Sequence, residues 1–184
     1  LKRLTGDFWQ VIGLAVVFLL ARFSEAFLIL KASAVGLPLM LAPLVLVVMN
    51  AVYALGSYPA GAWADRAPPR RLLVVGLGCL IAADLMLAWS VTVVGAFVGI
   101  ALWGAHMALS QGLLAKLVAE HAPAELRGSA FGLFNLTTGL AALAASVTAG
   151  LLWDWQGAQA TFLAGALFAG LALLLVWRFA AKRN

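Results

Sequence analysis

The sequence predicts an all-α polytopic membrane protein with six transmembrane helices. Three observations carry that reading. Of the 184 residues, 65% are hydrophobic and only 10% are charged, with a mean hydropathy of +1.04. That leaves too little polar surface to cover a soluble domain of this size. The apolar residues fall into six runs, each near the ~20 residues that cross a ~30 Å hydrocarbon core. Almost all charges lie between the runs rather than inside them.

The runs are Phe8–Leu30, Leu37–Ala64, Leu72–Trp89, Val91–Leu117, Ala130–Leu152 and Ala160–Trp177. Lys2 and Arg3 ahead of the first run imitate a secretory leader. No small-x-small cleavage site closes a short apolar stretch, however, so the run reads as a retained helix. The chain begins with Leu rather than Met, which points to a piece of a longer polypeptide. In the second run Pro38 and Pro43 fall in the first turns, where proline is tolerated, and Pro59 lies near the far end. Pro68 and Pro69 then close the link to the third run. The links are short, so neighbouring helices run antiparallel.

Lys and Arg set the orientation. Lys2, Arg3, Arg66, Arg70, Arg71, Lys116, Arg127, Arg178, Lys182 and Arg183 collect on one side, against Lys31 alone on the other. Both termini are therefore expected in the cytoplasm. Trp9, Trp63 and Trp177 mark the inner interface, and Trp89, Trp153 and Trp155 the outer one. The net charge of +5 does not indicate nucleic acid, because the basic residues are scattered singly or in pairs instead of sharing a face. Cys79, the single cysteine, excludes an intrachain disulfide and reads as a small core residue. A repeat is visible at an offset of 89 residues, where Gly61, Asp65 and Gly76 correspond to Gly150, Asp154 and Gly165. Three helices per repeat is an odd number, so the two copies would insert with opposite topology, an inverted three-plus-three arrangement.

The charged hairpin Gly61-Ala62-Trp63-Ala64-Asp65-Arg66-Ala67-Pro68-Pro69-Arg70-Arg71 resembles the signature loop of the major facilitator superfamily. That loop reads G-x-L-x-D-R-x-G-R-R and joins the second and third helices of each six-helix half. Gly61, Asp65, Arg66 and Arg70 match, while Trp63, Pro68 and Pro69 replace the aliphatic residue, the loop glycine and the first basic residue. Pro123, Arg127 and Gly128 likewise resemble the P-x-x-x-R-G opening of the fifth helix. The resemblance covers the whole chain as one C-terminal six-helix half, without its N-terminal half. It implies transport of a small-molecule substrate by alternating access, from a bacterial inner membrane. It also implies that Asp65 docks on a helix start of the missing half, and that Arg127 and Gly128 open the helix start that receives the other half's aspartate. The dipole end there favours a carboxylate.

Arg22 and Glu25 lie inside the first run. A charge facing lipid near the bilayer centre costs roughly 2.5–3.5 kcal/mol, so both should face the bundle interior. Three residues apart, they share a helical face and can pair. The bland reading is an ion pair that pins a helix. The sharper one is a substrate or proton site in which Glu25 titrates. Asn50 and Tyr53 in the second run, His106, Ser110 and Gln111 in the fourth, and Asn135, Thr137 and Thr138 in the fifth recur near mid-span. The resemblance implies that these helices line the central cavity. Each residue also has a plain structural reading, a bond to its own helix or a packed imidazole. Asp84, five residues from Trp89, is expected about 7.5 Å of helix rise from the outer interface, within reach of headgroups.

No cofactor is expected, and no phosphate-binding glycine loop signals ATP, which favours coupling to a proton gradient. An intramembrane hydrolase built on Ser129 with His106 or His121 is disfavoured. Ser129 lies at a helix entrance, and no separate helix brings a histidine opposite a buried serine. A six-helix channel or a non-transporting membrane scaffold is the alternative.

Overall fold

A computed structural model of the chain describes residues 6–181, apart from the side chains of residues 7 and 178–181. Lys2, Arg3, Lys182 and Arg183 lie outside the described residues, and so does the side chain of Arg178. The described chain is all-α: α1 (Gly6–Leu20), α2 (Ala26–Ala34), α3 (Ala42–Ala64), α4 (Pro69–Trp89), α5 (Val93–His121) and α6 (Arg127–Ala181). Single 3₁₀ turns at Leu39–Leu41 and Ala124–Leu126 lead into α3 and α6. Four helical stretches, Leu39–Ala64, Pro69–Trp89, Val93–His121 and Ala124–Trp177, are long and apolar enough to cross a membrane.

Two features depart from the sequence reading. The first expected span is not one helix but two, α1 and α2, separated by a non-helical segment at residues 21–25. The last two expected spans form one element, α6, interrupted at Gly157 by φ 82° and ψ −177°. Only glycine adopts that conformation without strain. The chain reverses there: the Thr161 hydroxyl donates to the Ala149 carbonyl at 3.3 Å, although twelve residues of straight helix would separate them by about 18 Å. α6 is therefore two arms, residues 127–156 and 158–181.

The termini of the helices follow from local chemistry. Pro69 occupies the first turn of α4, where its missing N–H costs nothing, so the helix begins before Arg70 and Arg71. The α3 end is closed by Asp65 N–H donating to the Gly61 carbonyl, and by Arg66 and Ala67 N–H donating to Trp63. Thr92 caps α5 by accepting from Gly95 N–H at 3.1 Å.

α5 is the centre of the bundle and packs against both α3 and α4, while α6 packs on α1 and α4. The α3–α5 approach is close enough that a Cβ on Gly104 would collide with the Met49 carbonyl oxygen. Close approach through small residues is how helices associate when lipid supplies no hydrophobic drive. The core runs from Leu14 and Phe18 of α1 through Leu77 and Leu80 of α4 to Ile100 and Trp103 of α5 and Phe162 of α6. α3 is the least enclosed helix, burying only Val45, Met49 and Ala60. Its outer face exposes Leu44, Val47, Leu55 and Tyr58, and the first arm of α6 exposes Leu136, Leu140, Leu143, Val147 and Leu151. Arg66, Arg70, Arg71, Lys116 and Arg127 gather at the bundle end formed by the α3–α4 and α5–α6 links.

Candidate functional site

The broken first span builds the site. Arg22 N–H donates to Leu19 at 3.1 Å, and helix resumes through Phe27 N–H to Ser24 and Leu28 N–H to Glu25, both at 3.1 Å. All three are tightened i to i+3 bonds of the kind that end helices. Between them, Ser24 N–H leaves the helix and donates to the Ser146 hydroxyl on the first arm of α6, at 3.1 Å. The Ser24 hydroxyl accepts from Ala26 N–H at 3.3 Å and starts α2. Irregular backbone within a membrane survives where it is buried in protein or lines a cavity; here Ala21 and Phe23 are buried, and Arg22, Ser24 and Glu25 line a cavity.

Phe23 fixes the segment from the inside. Its ring centroid lies 5.4 Å from those of Phe27 and Trp103 and 5.5 Å from that of Phe162. Arg22 and Glu25 point the other way and pair, guanidinium Nη2 to Oε1, at 3.3 Å. The pairing expected from their spacing is present, but it spans the non-helical turn rather than a helix face. Arg22 is 14% exposed and Glu25 37%, so the carboxylate is the more accessible partner.

These residues open on a cavity of about 590 Å³. Its polar wall is Arg22, Ser24, Glu25 and Ser146; its apolar wall is Leu19, Phe23, Ile29 and Leu46, with Ala26 and Ala142 between. A mostly apolar pocket with a few convergent polar groups is the usual form of a small-molecule site. The adjacent opposite charges can hold a polar group of either sign, provided that the ligand displaces one partner from the other. Neither Ser146 nor the break is signalled by the sequence. Nothing in Ala21-Arg22-Phe23-Ser24-Glu25 is a helix breaker, and Ser146 matters only through Ser24.

The remaining candidates do not line the cavity. Tyr53 is half-buried on α3. Asn50 is exposed and donates its amide to the Leu46 carbonyl of its own helix at 2.8 Å. Gln111 and Asn135 are exposed. Thr137 and Thr138 bond carbonyls one turn back. His106 is fully buried and does not line the cavity; its Nδ1 lies 2.9 Å from the Gly76 carbonyl of α4 and its ring stacks on Phe18 at 5.3 Å. Ser110 is buried and donates to the His106 carbonyl at 2.8 Å. Asp84 does not reach the interface as expected. It is fully buried, because Gly165 of α6 leaves room for its carboxyl inside the bundle.

Gly61, Asp65, Arg66, Arg127 and Gly128 are exposed at the basic end of the bundle. Arg70 shares that end, with its guanidinium over the Trp177 ring, 5.1 Å from the centroid. Among the described residues, no group of three or more His, Cys, Asp or Glu could hold a metal ion.

The chain resembles known transporters over nearly its whole length. It is 29% identical, over 189 aligned residues, to an uncharacterized MFS-type transporter of Methanocaldococcus jannaschii, covering 96% of this chain and 46% of that protein. Its fold superposes on the crystal structure of PepTSo, a transporter of the POT family, with a TM-score of 0.76 and 17% identity. That match covers 97% of this chain and 38% of the other. The chain therefore spans about half the length of the curated relative it matches, and the kinship is with transporters rather than with membrane enzymes. The sequence profile of the Major Facilitator Superfamily matches residues 6–184, and the chain is a multi-pass membrane protein belonging to that superfamily.

Proposed function

We propose that this chain is the C-terminal six-helix half of a proton-coupled permease, moving a small solute by alternating access around the Arg22–Glu25 cavity. The observation that carries this reading is the broken first span. An ion pair, a tethered backbone segment and a mostly apolar cavity converge where discontinuous helices of secondary transporters hold substrate and ions. Arg22 binds an anionic group of the cargo. Glu25, the more exposed partner, exchanges a proton as Arg22 is drawn off it.

Counting the two arms of α6 separately and α1 with α2 as one broken span gives six spans. The matched glycine and aspartate triads then mark an inverted three-plus-three repeat. The missing N-terminal half covers α3 and the first arm of α6, whose apolar faces are open. Asn50, Gln111 and Asn135 are exposed in this half and would line the central cavity once it is closed. Asp65 has no salt-bridge partner among the described residues, which suits a latch made to the other half. The basic bundle end faces the cytoplasm of a bacterial inner membrane, by the positive-inside rule.

The test is solute-driven proton movement in sealed vesicles carrying the native polypeptide, followed with an internal pH dye across a panel of amino acids, short peptides, organic acids and cationic drugs. At least one class should move protons with saturation. Non-saturating flux, or none for any class, would sink the reading.

A further inference from the structure

Asp84 lies on the buried face of α4 with 0% exposure, and neither carboxyl oxygen has a hydrogen-bond partner among the described residues. The carboxyl occupies a notch opposite Gly165 on the second arm of α6. A Cβ built there would lie 2.7 Å from Asp84 Oδ2 and 2.9 Å from Phe23 Cε1. Phe23 thus borders the notch, and it also lines the Arg22–Glu25 cavity. The same aromatic side chain thus lies against the buried acid and the open cavity. Behind it, Trp103 Nε1 is another buried polar atom without a partner, and its ring lies beside that of Phe23.

Among the described residues, Asp84 has no counter-ion. On α5 the nearest titratable group is His106, whose Nδ1 is committed to Gly76 and whose Nε2 is unpartnered. The broken segment contributes Arg22 and Glu25, which pair with each other. Lys31 of α2 is buried but forms no ion pair with Asp84. The second arm brings no titratable residue between Ala158 and Trp177, and α4 itself has only Cys79 nearby, with Arg70 and Arg71 at its far end. A carboxylate ion with neither donor nor cation is the form such a site tolerates least. The neutral acid fits it better.

We propose that Asp84 is a proton-binding site distinct from Glu25, sealed from the cavity by Phe23 and opened when segment 21–25 shifts. With Phe23 turned aside, water from the cavity accepts the carboxyl proton. The products are a hydronium ion in the cavity and a buried carboxylate. The reverse transfer reloads the site. This goes beyond the transport reading, since it holds whether or not Glu25 is the coupling group.

The test is infrared spectroscopy of the native polypeptide in lipid, in H2O and then D2O, whose readout does not depend on any solute being carried. A neutral-carboxyl carbonyl band should be present, lost in Asp84→Asn and kept in Glu25→Gln. Its downshift in D2O should be faster in Phe23→Ala than in the unmodified protein. Persistence of the band in Asp84→Asn, or equally fast exchange with and without the Phe23 ring, overturns the proposal. Should Asp84→Asn not assemble, Gly165→Ala serves instead: the added methyl displaces the carboxyl and shifts the band, and an unshifted band counts against the site.

Discussion

The guanidinium of Arg70 lies over the indole of Trp177, 5.1 Å from its centroid, and so ties the start of α4 to the end of the second arm of α6. Arg70 is also one of the residues that match the superfamily's signature loop. In this conformation its contact is with the last helix of its own bundle. A cation over an exposed ring contributes about 0.5–1 kcal/mol, and Trp177 is 62% exposed. A double-mutant cycle of Arg70→Ala and Trp177→Leu, followed by thermal unfolding in detergent, should return a coupling of about that size. Additive effects would remove the contact from the account.

Ser146→Ala removes the acceptor that draws Ser24 N–H out of the helix. The loss should destabilise the protein by about 0.5–1.5 kcal/mol and weaken the apparent affinity for solute more than the maximal rate, because the cavity wall loosens while the Arg22–Glu25 pair remains. Ser146→Thr, which keeps the hydroxyl, should restore both. Thermal shift and concentration-dependent uptake measure the two effects.

Gly104→Leu should be far more damaging than Gly112→Leu on the same helix. A side chain at Gly104 meets the Met49 backbone carbonyl, whereas nothing lies within 4 Å at Gly112. Forcing α3 off α5 costs about 1–3 kcal/mol, to be read from unfolding midpoints. Equal midpoints for the two variants would contradict the close packing.

His106→Phe keeps the stack on Phe18 and loses the bond to the Gly76 carbonyl. It should cost about 0.5–1.5 kcal/mol of stability and leave the pH profile of uptake unchanged. A displaced profile would bring His106 into the proton path despite its burial.

Much of the architecture could be read from the chain itself, because lipid imposes simple rules. Run length, proline at helix starts and basic residues at the ends located α3, α4, α5 and the hairpin around Asp65. Gly157 falls in the link expected between the last two runs. The break at residues 21–25 could not be read, because it has no proline or glycine to announce it. It exists because Ser146, more than a hundred residues away, accepts Ser24 N–H, and because Phe23 has an aromatic cluster to enter. The burial of Asp84 is hidden in the sequence for a similar reason. Its distance from Trp89 suggested headgroups, and only the notch at Gly165 reveals that it is enclosed. The Arg22–Glu25 pair was legible from spacing and cost; the cavity beside it was not, since Leu46 and Ser146 reach it from distant segments.

The central claim is that the Arg22–Glu25 cavity carries proton-coupled transport. The most direct measurement is proton movement driven by a transported solute in vesicles of the native polypeptide, compared between the unmodified protein and Glu25→Gln. Glu25→Gln should abolish proton movement while the folded protein still reaches the membrane and still binds the solute. Proton-coupled uptake at the unmodified rate in Glu25→Gln would contradict it.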